Sequence, residues 1–235
     1  MKNKNRLKIT NMLPLLWGLL ILFWFVLLFL LRPARGNDIY DIQAGMRAHS
    51  QQPLLVVAAQ IVFAWTGVAL VFLVLSFYKR LSTESPSDIA RAATVFGLIS
   101  GSMFMFSGLV GGFSSFDLIY IQSVRSPAYV QDAYLPLGLL VNRSQAAAIT
   151  VSGLWFAMVN LLALRNQALP QFIAYLGVGA GTVALLGFVL PGGGFSLLSL
   201  LLGALWGILS GLSMDRNVQQ GTVITRDRRY NVDKS

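Results

Sequence analysis

The groups in this 235-residue chain that can do chemistry are few and scattered. There is one histidine, His49, and no cysteine. Without thiols there are no disulfides, no thiolate metal sites and no thiol redox chemistry. His49 falls in a polar stretch near Asp38 and Asp41, and the spacing matches no metal-ligand pattern, so neither metal nor cofactor is expected. Ser102, Ser107, Ser152 and Ser210 each adjoin a glycine within apolar sequence. A nucleophilic serine in a membrane needs a histidine base on a facing helix, and no apolar segment contains one. A Schiff base is excluded in the same way, because the lysines stand at 2, 4, 8, 79 and 234, outside those segments. The residues therefore predict no enzyme.

The polar side chains left within apolar sequence are Gln60, Asn160 and several serines and threonines. Each amide must find a partner in hydrocarbon, and such interhelical bonds contribute about 0.6 to 2 kcal/mol. Gln60 and Asn160 read first as links between the second and fourth spans, and second as the lining of a polar path for a small neutral solute. Asp117 and Arg143, at interfacial depth, read as solvated helix ends. The tryptophans at 17, 24, 65, 155 and 206 read as lipid anchors and packing residues.

What must position these groups is a membrane bundle. The chain is 55% hydrophobic and 11% charged, with a mean hydropathy of +0.66. A soluble protein carries about a quarter charged residues. Six uncharged runs of about the 20 residues needed to cross a bilayer predict an all-α, polytopic fold with spans at 12–31, 54–78, 92–116, 145–164, 171–190 and 195–214. Residues 1–214 then form a single membrane domain, and 215–235 a polar, mobile tail. A positive start before an apolar run also describes a signal peptide, with Ala34-Arg35-Gly36 as a cleavage pattern. Twenty residues exceed the usual length of about 7 to 15, which favours an uncleaved anchor.

Between the spans, 32–53 is polar and reads as an external loop. Ser87 reads as the cap of a helix entering through Arg91, and Pro170 as the opening of the fifth span. Pro191-Gly192-Gly193-Gly194 reads as a tight turn. The stretch 117–144 mixes charges, prolines and tyrosines and reads as a loop lying on the membrane, with 129–141 as an interfacial helix. Thirteen of the 18 Lys and Arg fall on the side of the chain ends and five on the other, so both termini are expected to be cytoplasmic. The same bias explains the net charge of +9 without nucleic acid, which is not an expected partner.

In the last span Ser199, Gly203, Gly207 and Gly211 recur every four residues, a flat face suited to close helix approach. Both that glycine run and the one at Gly97 and Gly101 in the third span fall in the cytoplasmic leaflet. They are expected to pack against each other, which argues against duplicated halves of a transporter.

At 154–181, LWFAMVNLLALRNQALPQFIAYLGVGAG, a helix ends in Leu-Arg-Asn-Gln, passes Leu-Pro and re-enters through Tyr-Leu-Gly and Gly-x-x-x-Gly. This C-terminal half resembles a family of uncharacterised bacterial multi-pass membrane proteins. The resemblance implies a six-helix bundle of the inner membrane and no catalytic residues. Together these readings predict a non-enzymatic structural or accessory subunit, partnered by the bilayer and by copies of itself or other membrane subunits. The alternatives are a small permease for a neutral or lipid-like solute, and a sensor whose tail, with Arg226, Arg228 and Arg229, binds a cytosolic partner or anionic lipid.

Overall fold

The computed structural model describes residues 2–35, 42–81, 87–190 and 193–232. Outside them lie Asp38, Asp41, Gly36 of the cleavage pattern and the Pro191-Gly192 half of the predicted turn; the side chains of the tail lie outside too. Among the described residues there are seven helices and no strand: α1 (Lys2–Arg35), α2 (Ile42–Gln51), α3 (Pro53–Leu81), α4 (Asp88–Val124), α5 (Pro127–Arg165), α6 (Gln171–Val189) and α7 (Gly193–Val232). All but α2 are long and apolar enough to cross a membrane, over Met12–Arg32, Pro53–Leu81, Asp88–Val124, Tyr129–Arg165, Gln171–Val189 and Gly193–Ser213.

The six long helices form a closed ring in which α1 packs on α3, α3 on α4, α4 on α5, α5 on α6, α6 on α7, and α7 back on α1. Three seams of this ring are glycine contacts. A Cβ at Gly67 would lie 2.5 Å from the Gly101 carbonyl oxygen (α3 against α4), and one at Gly181 2.6 Å from that of Gly153 (α6 against α5). At the third, Cβ atoms at Gly18 and Gly207 would lie 2.6 Å from the carbonyls of Ala204 and Pro14 (α1 against α7). Backbones this close gain dispersion contacts that lipid tails cannot match. Serines add bonds between neighbours, with Ser100 and Ser107 of α4 donating to the carbonyls of Ala148 and Val141 on α5.

The face of Gly203, Gly207 and Gly211 lies inside the fold, against α1 and not against the Gly97 and Gly101 face of α4. These glycines meet Trp17, Gly18, Pro14 and Leu15 of α1, while Gly97 and Gly101 meet Val74, Val71 and Gly67 of α3, with Trp155 of α5. Equal depth in the membrane makes two faces compatible but does not make them neighbours; α4 and α7 share no seam of the ring. Ser199 is buried on the same face and donates to the Ser196 carbonyl of its own helix.

The stretch 117–144 is not a membrane-surface loop. α4 runs through Asp117 to Val124, and α5 starts at Pro127 and continues past Pro136. Scattered charges signal solvent without stopping a helix. The stop is at Arg125-Ser126, where extended Ser126 caps α5 from its hydroxyl and Pro127 takes the first helical position. At 37 and 39 residues, α4 and α5 are roughly 55 and 58 Å long at 1.5 Å per residue, nearly twice a bilayer core. Their paired ends meet α2 at one end of the ring. The tail differs likewise, since the backbone of α7 stays helical to Val232. Ser87 caps α4 as expected, accepting from the Ala90 amide at 3.2 Å, and Pro170 caps α6.

Along the axis of the ring the interior is aromatic. Trp155, Trp206, Phe156 and Phe77 meet edge-on or tilted with centroids 4.9 to 6.2 Å apart, and Trp17 joins them through Phe156 at 5.5 Å. Towards the α2 end Phe63 stacks between Trp24 and Phe104. Four of the five tryptophans are therefore interior plugs, and among them only Trp65, 59% exposed, faces outward as an anchor would.

Candidate functional site

At the end of the ring opposite the chain ends, the short helix α2 closes over the tops of α3, α4 and α5. Its sequence folds this way because Ala44, Gly45, Ala48 and His49 recur at helical spacing and are buried, while Arg47, Ser50 and Gln51 face out. Beneath it lies a chamber of about 430 Å3 including its open mouth, lined by Ala48 and His49 of α2, Val56 and Gln60 of α3, Ser114 and Leu118 of α4, and Tyr134, Leu137, Val141 and Asn142 of α5. Gly45, Gly111 and Gly138 complete the wall. Each is small for a reason: a Cβ at Gly45 would strike the Tyr134 hydroxyl, one at Gly111 the Gln60 carboxamide at 2.7 Å, and one at Gly138 the Tyr134 ring at 3.0 Å.

His49 is not an exposed loop residue, as its polar surroundings in sequence predicted, but is 8% exposed. Its Nδ1 lies 2.8 Å from the Gly45 carbonyl oxygen and its Nε2 2.8 Å from Ser115 Oγ, and its ring stands edge-on to Tyr134 at 5.1 Å. A carbonyl only accepts, so Nδ1 carries a proton. Ser115 Oγ also lies 2.6 Å from the Gly111 carbonyl. With a neutral ring the hydroxyl donates to Nε2; with a protonated ring Nε2 donates to Oγ, and the hydroxyl turns to Gly111.

A serine bonded to a histidine that is itself held by a carbonyl has the outline of a nucleophile and its base. This pair is not legible from the spans alone, because the histidine comes from α2, outside every apolar run. The outline lacks access, however: Ser115 is fully buried and its oxygen is not on the chamber wall, which is formed on that helix by Gly111, Ser114 and Leu118. The pair docks α2 on α4.

Gln60 and Asn160 do not meet. Gln60 accepts from Gln145 Nε2 of α5 at 3.0 Å, a link between the second and fourth spans through a residue that sequence reasoning passed over. Asn160 lies in the aromatic plug, where its amide nitrogen donates to the Phe156 carbonyl at 2.8 Å and its oxygen accepts from Trp206 Nε1 at 2.7 Å. The chamber reaches Gln60 and stops short of Asn160. Asp117 and Arg143 are both exposed. Among the described residues no three His, Cys, Asp or Glu side chains converge as metal ligands. No protein-family model, curated protein or solved structure matches this chain.

Proposed function

We propose that this multi-pass membrane protein is a non-enzymatic structural or accessory subunit of a bacterial inner membrane, with both termini cytoplasmic. It acts by holding copies of itself or other membrane subunits together, and neither conducts nor catalyses. The observation that carries the reading is the filled axis: Trp17, Trp155 and Trp206, all fully buried, occupy the space a conduit would need. The removal of Ser115 from the chamber wall supports the absence of catalysis. The excess of Lys and Arg on the side of the chain ends supports the orientation, and the resemblance of 154–181 to bacterial inner-membrane proteins supports the compartment.

The permease reading draws on one observation, the chamber that opens as far as Gln60. A path beyond it requires the bonded pair Asn160 and Trp206 to separate, which weighs against it.

Purification from native membranes in mild detergent, followed by mass spectrometry, tests the proposal. A stable complex with another subunit, or a homo-oligomer, is expected. An isolated monomer that moves a neutral solute across liposomes overturns it, and a reporter fused to residue 235 that is active outside the cytoplasm overturns the orientation.

A further inference from the structure

We infer that the groove between α3 and α4 on the outside of the ring, at the end that carries the chain ends, binds an anionic phospholipid, with Lys79 and Arg91 on its phosphate and an acyl chain along the groove. The two helices run antiparallel in close contact, with Gly67 and Val71 against Gly101 and Val74 against Gly97. Five residues further along α3 and six back along α4, this register brings Lys79 and Arg91 to the same depth. Each also follows by one residue the position that continues the seam: Lys79 follows Tyr78, four beyond Val74, and Arg91 follows Ala90, seven before Gly97. One residue turns a helix by about 100°, and in an antiparallel pair equal turns away from the seam lead to the same side. Lys79 and Arg91 are both exposed, so that side is the outer surface of the ring.

The groove next to the two cations is apolar and open. Phe72 and Leu75, two turns and one turn from Lys79, and Val95, one turn from Arg91, are each about half exposed. Such residues meet lipid tails whatever the headgroup, so selectivity falls to the cations. The guanidinium fork of Arg91 can pair with two phosphate oxygens and Lys79 adds a compact charge, whereas a headgroup that carries its own ammonium is repelled. Among the described residues Asp88 is the one acid paired here, at 3.7 Å from Arg91, and both groups are exposed, which makes the pair weak and leaves the arginine available. The other end of the groove has the opposite character. It carries Leu54 and the exposed Asp117, and no Lys or Arg precedes Lys79 on α3 or follows Arg91 on α4. The groove is therefore built for an anionic lipid of one leaflet, the one on the side of the chain ends, where basic positions between helices attract such headgroups.

The test uses the full chain, delipidated in detergent, and native mass spectrometry of bound dioleoyl phosphatidylglycerol against dioleoyl phosphatidylcholine. The anionic lipid should be retained about twentyfold more strongly, and Lys79→Gln and Arg91→Gln should each lower that preference about fivefold. The double variant should abolish it, and Lys79→Arg should keep it. These are exposed side chains, so melting should match the parent protein. Arg165→Gln, which removes an exposed cation at the same end of the ring but outside the groove, should leave the preference intact. Equal retention of the two lipids, or a double variant that still prefers phosphatidylglycerol, overturns the inference. An equal loss from Arg165→Gln overturns it too, by assigning the attraction to diffuse positive charge. So does full displacement by soluble glycerol phosphate, because a free anion would then suffice and the apolar groove would add nothing. None of these outcomes depends on which subunits the protein joins.

Discussion

Trp206 on α7 donates its indole hydrogen to Asn160 on α5 across 2.7 Å, and both side chains are fully buried. The bond crosses the ring, joining two helices that are separated along its circumference by α6. Asn160 in turn donates to the Phe156 carbonyl, and Gly177 on α6 has no side chain because Asn160 occupies the space. One amide thus fixes three helices around the plug.

Asn160→Leu should leave the Trp206 indole unpaired in a dry site and cost about 1 to 3 kcal/mol. A lowered melting temperature in detergent is the readout. Trp206→Phe in the same background should recover part of the loss, and the coupling from the double-mutant cycle should fall near the 0.6 to 1.7 kcal/mol of interhelical bonds in membranes. Additive effects would show that the bond contributes nothing.

The order of helices around the ring predicts a cross-linking pattern, and the absence of native cysteine makes it clean to read. Leu15→Cys with Gly211→Cys should form a disulfide under mild oxidation: a Cβ at Gly211 would lie 2.7 Å from the Cβ of Leu15, so the outward shift of about 1 Å that the new side chain forces brings the pair to disulfide range. Gly97→Cys with Gly211→Cys should not. The reverse result would put α7 against α4 and break the ring.

That ring shows what hydropathy patterning can carry. The six spans were legible because an apolar run of 20 residues has few other uses, and the glycine faces because small residues four apart imply a close neighbour. Which neighbour was not legible: Gly203, Gly207 and Gly211 suit any flat partner, and the choice of α1 depends on closure by residues as distant as Pro14 and Gly18. His49 was misread for a related reason. Charges at 32–53 mark solvent, yet Ala44, Gly45, Ala48 and His49 form a helical face within it, and that spacing was the available signal. Gln145, two residues beyond Arg143, was passed over because it fell at the edge of a predicted span.

Gln167 predicts a gain in stability. It follows α5 with φ of +51°, in the left-handed region, where the Ala168 amide bonds the Ala163 carbonyl at 2.9 Å and the Gln167 amide that of Leu164 at 3.4 Å. This is the helix end that glycine usually closes, because a Cβ is strained there. Its side chain is exposed, so Gln167→Gly loses no packing. The substitution should raise stability by about 0.5 to 1 kcal/mol, less the added freedom of the unfolded chain, and a higher melting temperature checks it.

The bond between His49 and Ser115 makes its own prediction about local stability. α2 is ten residues long, too short to hold its shape alone in water, and rests on the bundle through Ala44, Ala48 and this bond. Ser115→Ala removes the partner of Nε2 while leaving the Gly45 carbonyl to Nδ1, so the loss should fall on the docking of α2 more than on the ring. Hydrogen exchange should accelerate in 44–51 by about tenfold, corresponding to about 1.4 kcal/mol, with little change in the amides of α6 and α7. His49→Phe, which keeps an aromatic ring beside Tyr134 but donates to neither Gly45 nor Ser115, should release the helix at least as far. Uniform acceleration throughout the protein would instead assign the pair a role in global stability, and no acceleration would mean that packing alone holds α2 over the chamber.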